Sequence, residues 1–389
     1  MKICACVAEY NPFHLGHLRH LNYIKNQLKA DKLIVIMSGS FTQRGEMAIL
    51  DKFTRARHAV LSGADMVIEL PTVFATANAE IFAKGACGIL NSLGVVDTLC
   101  FGIESGTKEE YIDLAKQLND ESKEFKRALK EALDNGNSLA KAKFEAIKNL
   151  GGSYDEKLVS SPNNILALEY TKALLSLNSN IQIEPMIRFG NHNDKTLKKG
   201  ETSASSIRHA LMQGNKKSIK KSVPPFVYKD ITGYPFGAEK LFMTSLLTTD
   251  AQDLAKVLDC TEGLENRIKA LSKDNKNIET LIEKCATKRY TASRIRRIIT
   301  ANLLKITDQF VKECLTEKLY AKVLAISSES KDLISYISKN SSIPLLTRKS
   351  DGATLKKTAL YSFEKDILAN ELYGLATGKD NNENLMLLI

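Results

Sequence analysis

Two patterns of apolar spacing alternate along the first half of the chain. Short runs rich in apolar residues recur at Ile3 to Ala8, Lys32 to Ser38, Asp65 to Leu70, Val95 to Phe101 and Ile181 to Ile187. Each reads as a strand, the first two as buried ones. Between them the apolar positions fall on one face of a helix. Such stretches begin at His14, run from Lys52 to Leu61 (stripe Phe53, Ala56, Val60, Leu61) and from Asn78 to Leu93, and cover Thr107 to Leu150 with a break near Asn135-Gly136. Pro71 stops the third strand, and Ser161-Pro162 starts a further helix. The alternation predicts an α/β fold with an open, Rossmann-like parallel sheet.

Pro224-Pro225 marks the expected domain boundary. Residues 1–222 then form an α/β catalytic domain, and residues 223–389 a mainly helical, basic one. The tail is polar from Asp380 to Glu383 and ends in Leu-Met-Leu-Leu-Ile, a strand or a helix that the pattern does not decide.

Composition narrows the class. A chain of 389 residues has room for two domains and a sizeable core. No apolar run reaches the length of a membrane span, and the sequence opens on a strand, so no signal peptide is expected. The seven cysteines include no C-x-x-C pair, and Cys4 and Cys6 share one side of the first strand, so reduced thiols in the cytoplasm are expected. The net charge is +10. Residues 1–110 are neutral, with eleven basic and eleven acidic groups; the surplus lies beyond them. A neutral front and a basic remainder suit a polyanionic partner or a solvated Lys-rich surface.

The densest candidate chemistry is His14-Leu15-Gly16-His17, after the first strand. Free N–H groups and the helix dipole point the same way at such a turn, which suits phosphate. Two imidazoles on the first turn can donate to phosphate oxygens, and Gly16 lets a ligand approach the backbone. His14, His17 and His20 make a poor metal set, because steps of three drift around the helix and no Cys or acid stands at zinc spacing. The loop Ser40 to Gly45 reads as a lid or an ordinary surface loop. Arg55, Arg57 and His58 lie on a helix that offers one of them to phosphate or leaves all three solvated. Gly102 is expected at the C-terminal edge of the fourth strand, and Arg188 follows the fifth. Asn163 and Asn164 fall in a first helical turn, as ligand readers or caps. Ser203 to Arg208 sets hydroxyls and an arginine at another helix start, a second anion-binding group or a capped, solvated helix. Lys284 to Arg297 holds six basic groups and no acidic one. Lys288, Arg289, Arg294, Arg296 and Arg297, with Tyr290 among them, read as an RNA-binding surface, with a solvated helix as the alternative.

The first strand, His14-x-Gly16-His17, Gly102 and the Ser203–Arg208 group resemble the nucleotidyltransferase superfamily that shares its HUP-type fold with class I aminoacyl-tRNA synthetases. Longer strings narrow this. Ala8 to His17, Met37-Ser38-Gly39-Ser40-Phe41, Ile68-Glu69-Leu70-Pro71, Ser161-Pro162-Asn163-Asn164 and Arg289-Tyr290-Thr291 resemble the bacterial tRNA(Met) cytidine acetate ligase family. The resemblance spans nearly the whole chain and is weakest after about residue 330.

That resemblance implies an enzyme using ATP, with Mg²⁺, and acetate to make N4-acetylcytidine at the wobble position of elongator tRNA(Met). It implies catalytic roles for His14 and His17. It implies ATP contacts at Val7, Ala8, Glu9, Tyr10, Asn11, Pro12, Phe13, His14, Leu15, Gly16, His17, Leu18, Arg19 and His20, and at Gly102, Asn163 (rather than Asn164) and Arg188. No side-chain metal site, membrane or protein partner is expected. The superfamily motifs by themselves also suit a small-molecule adenylyltransferase, or an RNA-binding protein with an inherited nucleotide pocket.

Overall fold

The computed structural model describes residues 1–119, 122–137, 139–149, 154–188, 203–235, 237–287, 289–379, 383 and 386–389. Five strands run parallel: β1 (Ile3–Ala8), β2 (Lys32–Ser38), β3 (Met66–Leu70), β4 (Thr98–Ile103) and β5 (Gln182–Ile187). They are linked by α1 (Leu15–Asn26), α2 (Lys52–Leu61), α3 (Thr72–Ala75) and α4 (Ala79–Leu93). Between β4 and β5 come α5 (Lys108–Asn119), α6 (Lys123–Asp134), α7 (Leu139–Asn149), α8 (Lys157–Ser160) and α9 (Pro162–Ser176); α10 (Ala204–Met212) lies beyond β5. The sheet order β5-β4-β1-β2-β3 reverses direction between β1 and β4. A crevice opens at the carboxyl ends of those two strands, where open sheets hold their ligands.

Both sheet faces are covered. Ile3, Ala5, Ile34 and Ile36 pack into one core, and Cys4, Cys6, Leu33 and Val35 into the other. The period of two explains why these strands read as continuous apolar runs. Two expected elements shift. β4 begins at Thr98 rather than Val95, where the Asp97 carboxylate accepts the Ile3 N–H at 2.7 Å, and it runs on to Ile103, so Gly102 lies inside the strand. The charged stretch after Thr107 breaks near Ser122 as well, where Ser122 caps α6 by accepting from Phe125 N–H at 3.0 Å.

Beyond Pro225 the chain is helical through α11 (Pro225–Asp230), α12 (Ala238–Thr248), α13 (Ala251–Leu254), α14 (Leu264–Asp274), α15 (Ile278–Cys285), α16 (Ala292–Leu304) and α17 (Asp308–Thr316). It then returns to the same sheet. β6 (Ala321–Ile326) pairs antiparallel with β3, and β7 (Leu345–Leu346) and β8 (Leu387–Leu388) pair with β6. The apolar tail thus docks as a strand, and the sheet crosses the boundary expected at Pro224-Pro225. α18 (Asp332–Asn340) and α19 (Lys357–Thr377) complete this part.

Where the two parts of the sheet meet, four charges are buried. Lys52 Nζ lies 2.8 Å from Glu69 Oε1 and also contacts Glu383; Lys322 Nζ lies 3.2 Å from Glu69 Oε2 and contacts Glu383 too. Burial raises the Glu69 carboxyl, but Lys322 and Lys52 hold it below its ordinary value. Beside them Asp366 accepts from Thr72 N–H at 2.7 Å and from the Tyr320 hydroxyl at 2.5 Å. Burial, then the Glu69 charge, push the Asp366 carboxyl up to about 7.

Two outcomes follow. Removing one partner strands a buried charge, so Glu69→Gln is expected to lower unfolding free energy by about 3–5 kcal/mol in urea titrations. The folded state holds a proton on Asp366 that the unfolded chain releases near pH 4. Stability from this group therefore falls as pH rises from about 4 to about 7. Asp366→Asn is expected to flatten that slope in melting curves across this window.

Candidate active site

The crevice between β1 and β4 deepens into a cavity of about 530 Å³. Its floor begins where β1 ends. His14 is the N-cap of α1, not a residue of its first turn: its Nδ1 accepts from the Gly16 N–H at 3.0 Å. His17 Nδ1 accepts in return from the His14 N–H at 3.2 Å. This reciprocal capping box is built from two imidazoles instead of a hydroxyl and a carboxylate. The rings stack, with centroids 3.7 Å apart and planes 26° from parallel. With each Nδ1 accepting, the proton of a neutral ring sits on Nε2. The cap thus orients two Nε2–H donors as a unit. Tyr10 and Phe13 pack on the His17 ring at 4.9 and 5.6 Å.

Of the fourteen residues Val7 to His20, Val7, Ala8, Glu9, Tyr10, Asn11, His14, Gly16, His17, Arg19 and His20 line the cavity. Pro12, Phe13, Leu15 and Leu18 are not among its lining residues. Pro12 and Phe13 are buried, and Leu15 N–H donates to Ser222 O at 3.0 Å. His20 Nε2 lies 3.3 Å from Cys100 Sγ; burial, with Arg188 nearby, lowers its pKa to about 4, so the ring is neutral at pH 7.

The opposite wall joins Gly102, Asn163 and Arg188. Arg188 Nη1 donates to Asn163 Oδ1 at 3.0 Å, and Asn163 Nδ2 donates to Glu104 Oε1 at 2.7 Å. Of the two adjacent amides, Asn163 faces the cavity. Asn164 is fully buried and holds the loop after β4, accepting from Glu104 N–H at 2.8 Å and donating to Ser105 Oγ and Lys157 O. Ser161 opens α9, with Pro162 in the first turn, but its side chain makes no capping bond. Gly102 serves Arg188: a Cβ there would stand 2.7 Å from Arg188 Cδ, so the missing side chain is the seat of the arginine's stem.

At the third wall Ser203 and Ser206 cap α10 reciprocally, and Arg208 Nη1 donates to Asn11 O at 2.9 Å. Ala204 and Arg208 line the cavity.

Other candidates lie elsewhere. Arg55 is wholly buried and is not among the residues lining this cavity; it donates to Leu50 O, Glu9 O, Ser38 O and Gly39 O. Arg57 and His58 both meet Asp230. The Ser40–Gly45 loop is anchored rather than hinged: Ser40, Phe41 and Thr42 are buried, and Gly45 lies against the Arg296–Arg297 backbone. The basic helix is not a bare cationic face. Arg289 and Arg294 pair with Glu262, Arg296 with Glu279 and Arg297 with Asp259. Lys288 and residues 189–202 lie outside the described residues.

The sequence pattern did not single out Phe82, Phe101, Tyr170, Met186 and Ser293 as cavity residues, yet all line it, with Gln43, Arg44 and Arg297. Phe82 and Tyr170 read as core because their helices bury apolar stripes; nothing in the spacing separates the turn that faces the cavity. Among the described residues, no helix is long and apolar enough to cross a membrane, and no cluster of three or more His, Cys, Asp or Glu could hold a metal.

A family model described as HIGH Nucleotidyl Transferase matches residues 1–386. A protein of Thermoanaerobacter sp. (strain X514) named tRNA(Met) cytidine acetate ligase is 39% identical over 388 residues, 97% of this chain and 96% of that one. One of the same name from Acetivibrio thermocellus is 38% identical over 396 residues, 96% of this chain and 94% of that one. The crystal structure of Thermotoga maritima TmcAL, apo form I, gives a TM-score of 0.93 at 28% identity, with both chains fully covered. That of T. maritima TmcAL bound with alpha-thio ATP gives 0.90, also at 28% identity with both chains fully covered.

The seat of Arg188 yields a test. Gly102→Ala forces the stem to move by several tenths of an ångström or more. It is expected to weaken ATP binding at least tenfold by calorimetry, with the far-ultraviolet circular dichroism unchanged.

Proposed function

The chain belongs to the HIGH nucleotidyl transferase family, and from that premise we propose that it is an ATP-dependent tRNA(Met) cytidine acetate ligase acting in the cytoplasm. End-to-end likeness to relatives of that name carries the reading. The paired-histidine cap supplies the chemistry.

In this reading ATP lies along the end of β1, its phosphates over the N-terminus of α1. The neutral Nε2–H groups of His14 and His17 and the guanidinium groups of Arg188 and Arg208 face them. Acetate is a poor acyl donor. One of its oxygens attacks the α-phosphorus, the bond to the β-phosphate oxygen breaks, and pyrophosphate leaves with the electron pair. The product is acetyl-adenylate. Catalysis here consists of positioning and of stabilising charge that gathers on the leaving group. Mg²⁺, when bound, would be held by the phosphates themselves, and would neutralise part of that charge.

The N4 amine of a cytosine then attacks the acetyl carbon. An N–C bond forms, the C–O bond to AMP breaks, and the amine gives up one proton. A base in an anticodon loop is single-stranded and can be turned into a pocket.

Labelled acetate incubated with ATP and elongator tRNA(Met) is expected to appear as N4-acetylcytidine in nucleoside mass spectrometry. Its absence would defeat the assignment. His14→Ala and His17→Ala each remove a donor that acts on developing charge. Each is expected to cut acetate-dependent ATP–pyrophosphate exchange by about 10²–10³-fold, while tRNA affinity stays within twofold in filter binding.

A further inference from the structure

The reading above gives no role to five further residues that line the cavity, taken here together as one corner of it: Gln43, Phe82, Tyr170, Ser293 and Arg297. They come from the loop after β2, from α4, from α9 and from α16, so both halves of the chain meet there.

The corner is built rather than incidental. Gly45 has no side chain because the Arg296–Arg297 backbone occupies that space, and Thr300 Oγ1 donates to Gly45 O at 2.9 Å. Asp259 ties the helices together: Arg297 Nε lies 3.4 Å from its Oδ2, and Asn78, the cap of α4, donates to its Oδ1 at 3.2 Å. The Gln43 N–H donates to Glu9 Oε1 at 2.8 Å, which sets that residue beside the end of β1.

Three properties of the corner point to a ligand. The Gln43 side-chain nitrogen is buried with no hydrogen-bond partner among the described residues, a costly arrangement unless something else accepts from it. Tyr170 is 4% exposed, and no hydrogen bond is found for its hydroxyl among the described residues. Phe82 and Phe101 supply an apolar wall, with the Phe101 and Tyr170 rings 5.7 Å apart. A flat heterocycle with an acceptor on its edge meets all three; a two-carbon acid is too small to do so.

We propose that this corner is the acceptor subsite, which takes an unpaired pyrimidine base against Phe82 and Tyr170 while Gln43 donates to its edge and Arg297 meets the flanking backbone phosphate. The inference rests on the ligase reading above. It also carries base specificity. N3 of cytosine accepts a hydrogen bond, whereas N3 of uracil carries a proton, so the Gln43 amide in its present orientation matches cytosine and must turn over to meet uracil.

The test uses the full chain, with two half reactions and one binding measurement. Acetate-dependent ATP–pyrophosphate exchange needs no RNA; transfer of labelled acetyl to tRNA(Met) does. Gln43→Met and Phe82→Leu, conservative in volume, are expected to cut transfer at least tenfold more than they cut exchange. Arg297→Gln is expected to raise the KM for tRNA at least fivefold. Without ATP, an anticodon stem-loop with cytidine at the wobble position should bind at least fivefold tighter than its uridine counterpart. Gln43→Met should erase that preference. Equal loss in both half reactions with a raised KM for acetate would assign the corner to the acid and overturn the proposal, as would unchanged transfer. A wild-type protein with no acetate-dependent exchange would defeat the ligase reading alone. The stem-loop preference then still decides the subsite, and equal affinity for the two loops overturns it.

Discussion

Parallel strands end in carbonyl groups that the ladder cannot satisfy, and here one guanidinium takes them. Arg55 is wholly buried on α2 and donates to Glu9 O, Ser38 O, Gly39 O and Leu50 O. Burial lowers the pKa of this arginine, yet a guanidinium stays charged at any physiological pH. Its planar fork fixes the exits of β1 and β2 relative to each other. Those exits carry Glu9 to Asn11 on one side and the Gln43 loop on the other. The cavity's shape therefore depends on a residue that never touches it.

A second principle is division of labour among charges. The first 110 residues are neutral overall, but the cavity their strands help to build gathers Arg188 and Arg208 around the histidine pair. The arginines of α16 look from sequence like a free cationic stripe. In the fold each meets a carboxylate, and Arg297 turns to the cavity wall. Charge count alone could not separate a surface for polyanions from a network that fastens α16 to its neighbours. Paired surface arginines add little stability, so their geometry matters more than their energy.

Much of this architecture is legible in the residues themselves. β2 and α2 match the apolar pattern to the residue, because both are bounded by local signals: Gly39 after the strand, and Asp51, which caps the helix by accepting from Thr54 N–H. The histidine motif, Gly102, Asn163 and Arg188, each singled out in the sequence, line one cavity. What stays hidden is long-range. That Gly102 exists for the stem of Arg188, that Asp97 delays β4 and that β6 returns to β3 across a whole helical half are facts of tertiary packing. Phe82 and Tyr170 satisfy the same helical period as ordinary core residues, so periodicity alone leaves their contact with the cavity invisible.

The buried quartet has a consequence for how the chain is made. Lys52 and Glu69 emerge first in synthesis, Lys322 well after them, and Glu383 after all three. Until that final carboxylate arrives, the sheet's centre holds two ammonium groups against one fixed counter-ion, with Asp366 as the neighbouring carboxyl left to ionise. A chain interrupted before Glu383 would be left with an unbalanced interior. That carboxylate thus acts as a seal on quality: only a chain that has reached it closes the sheet's centre electroneutrally.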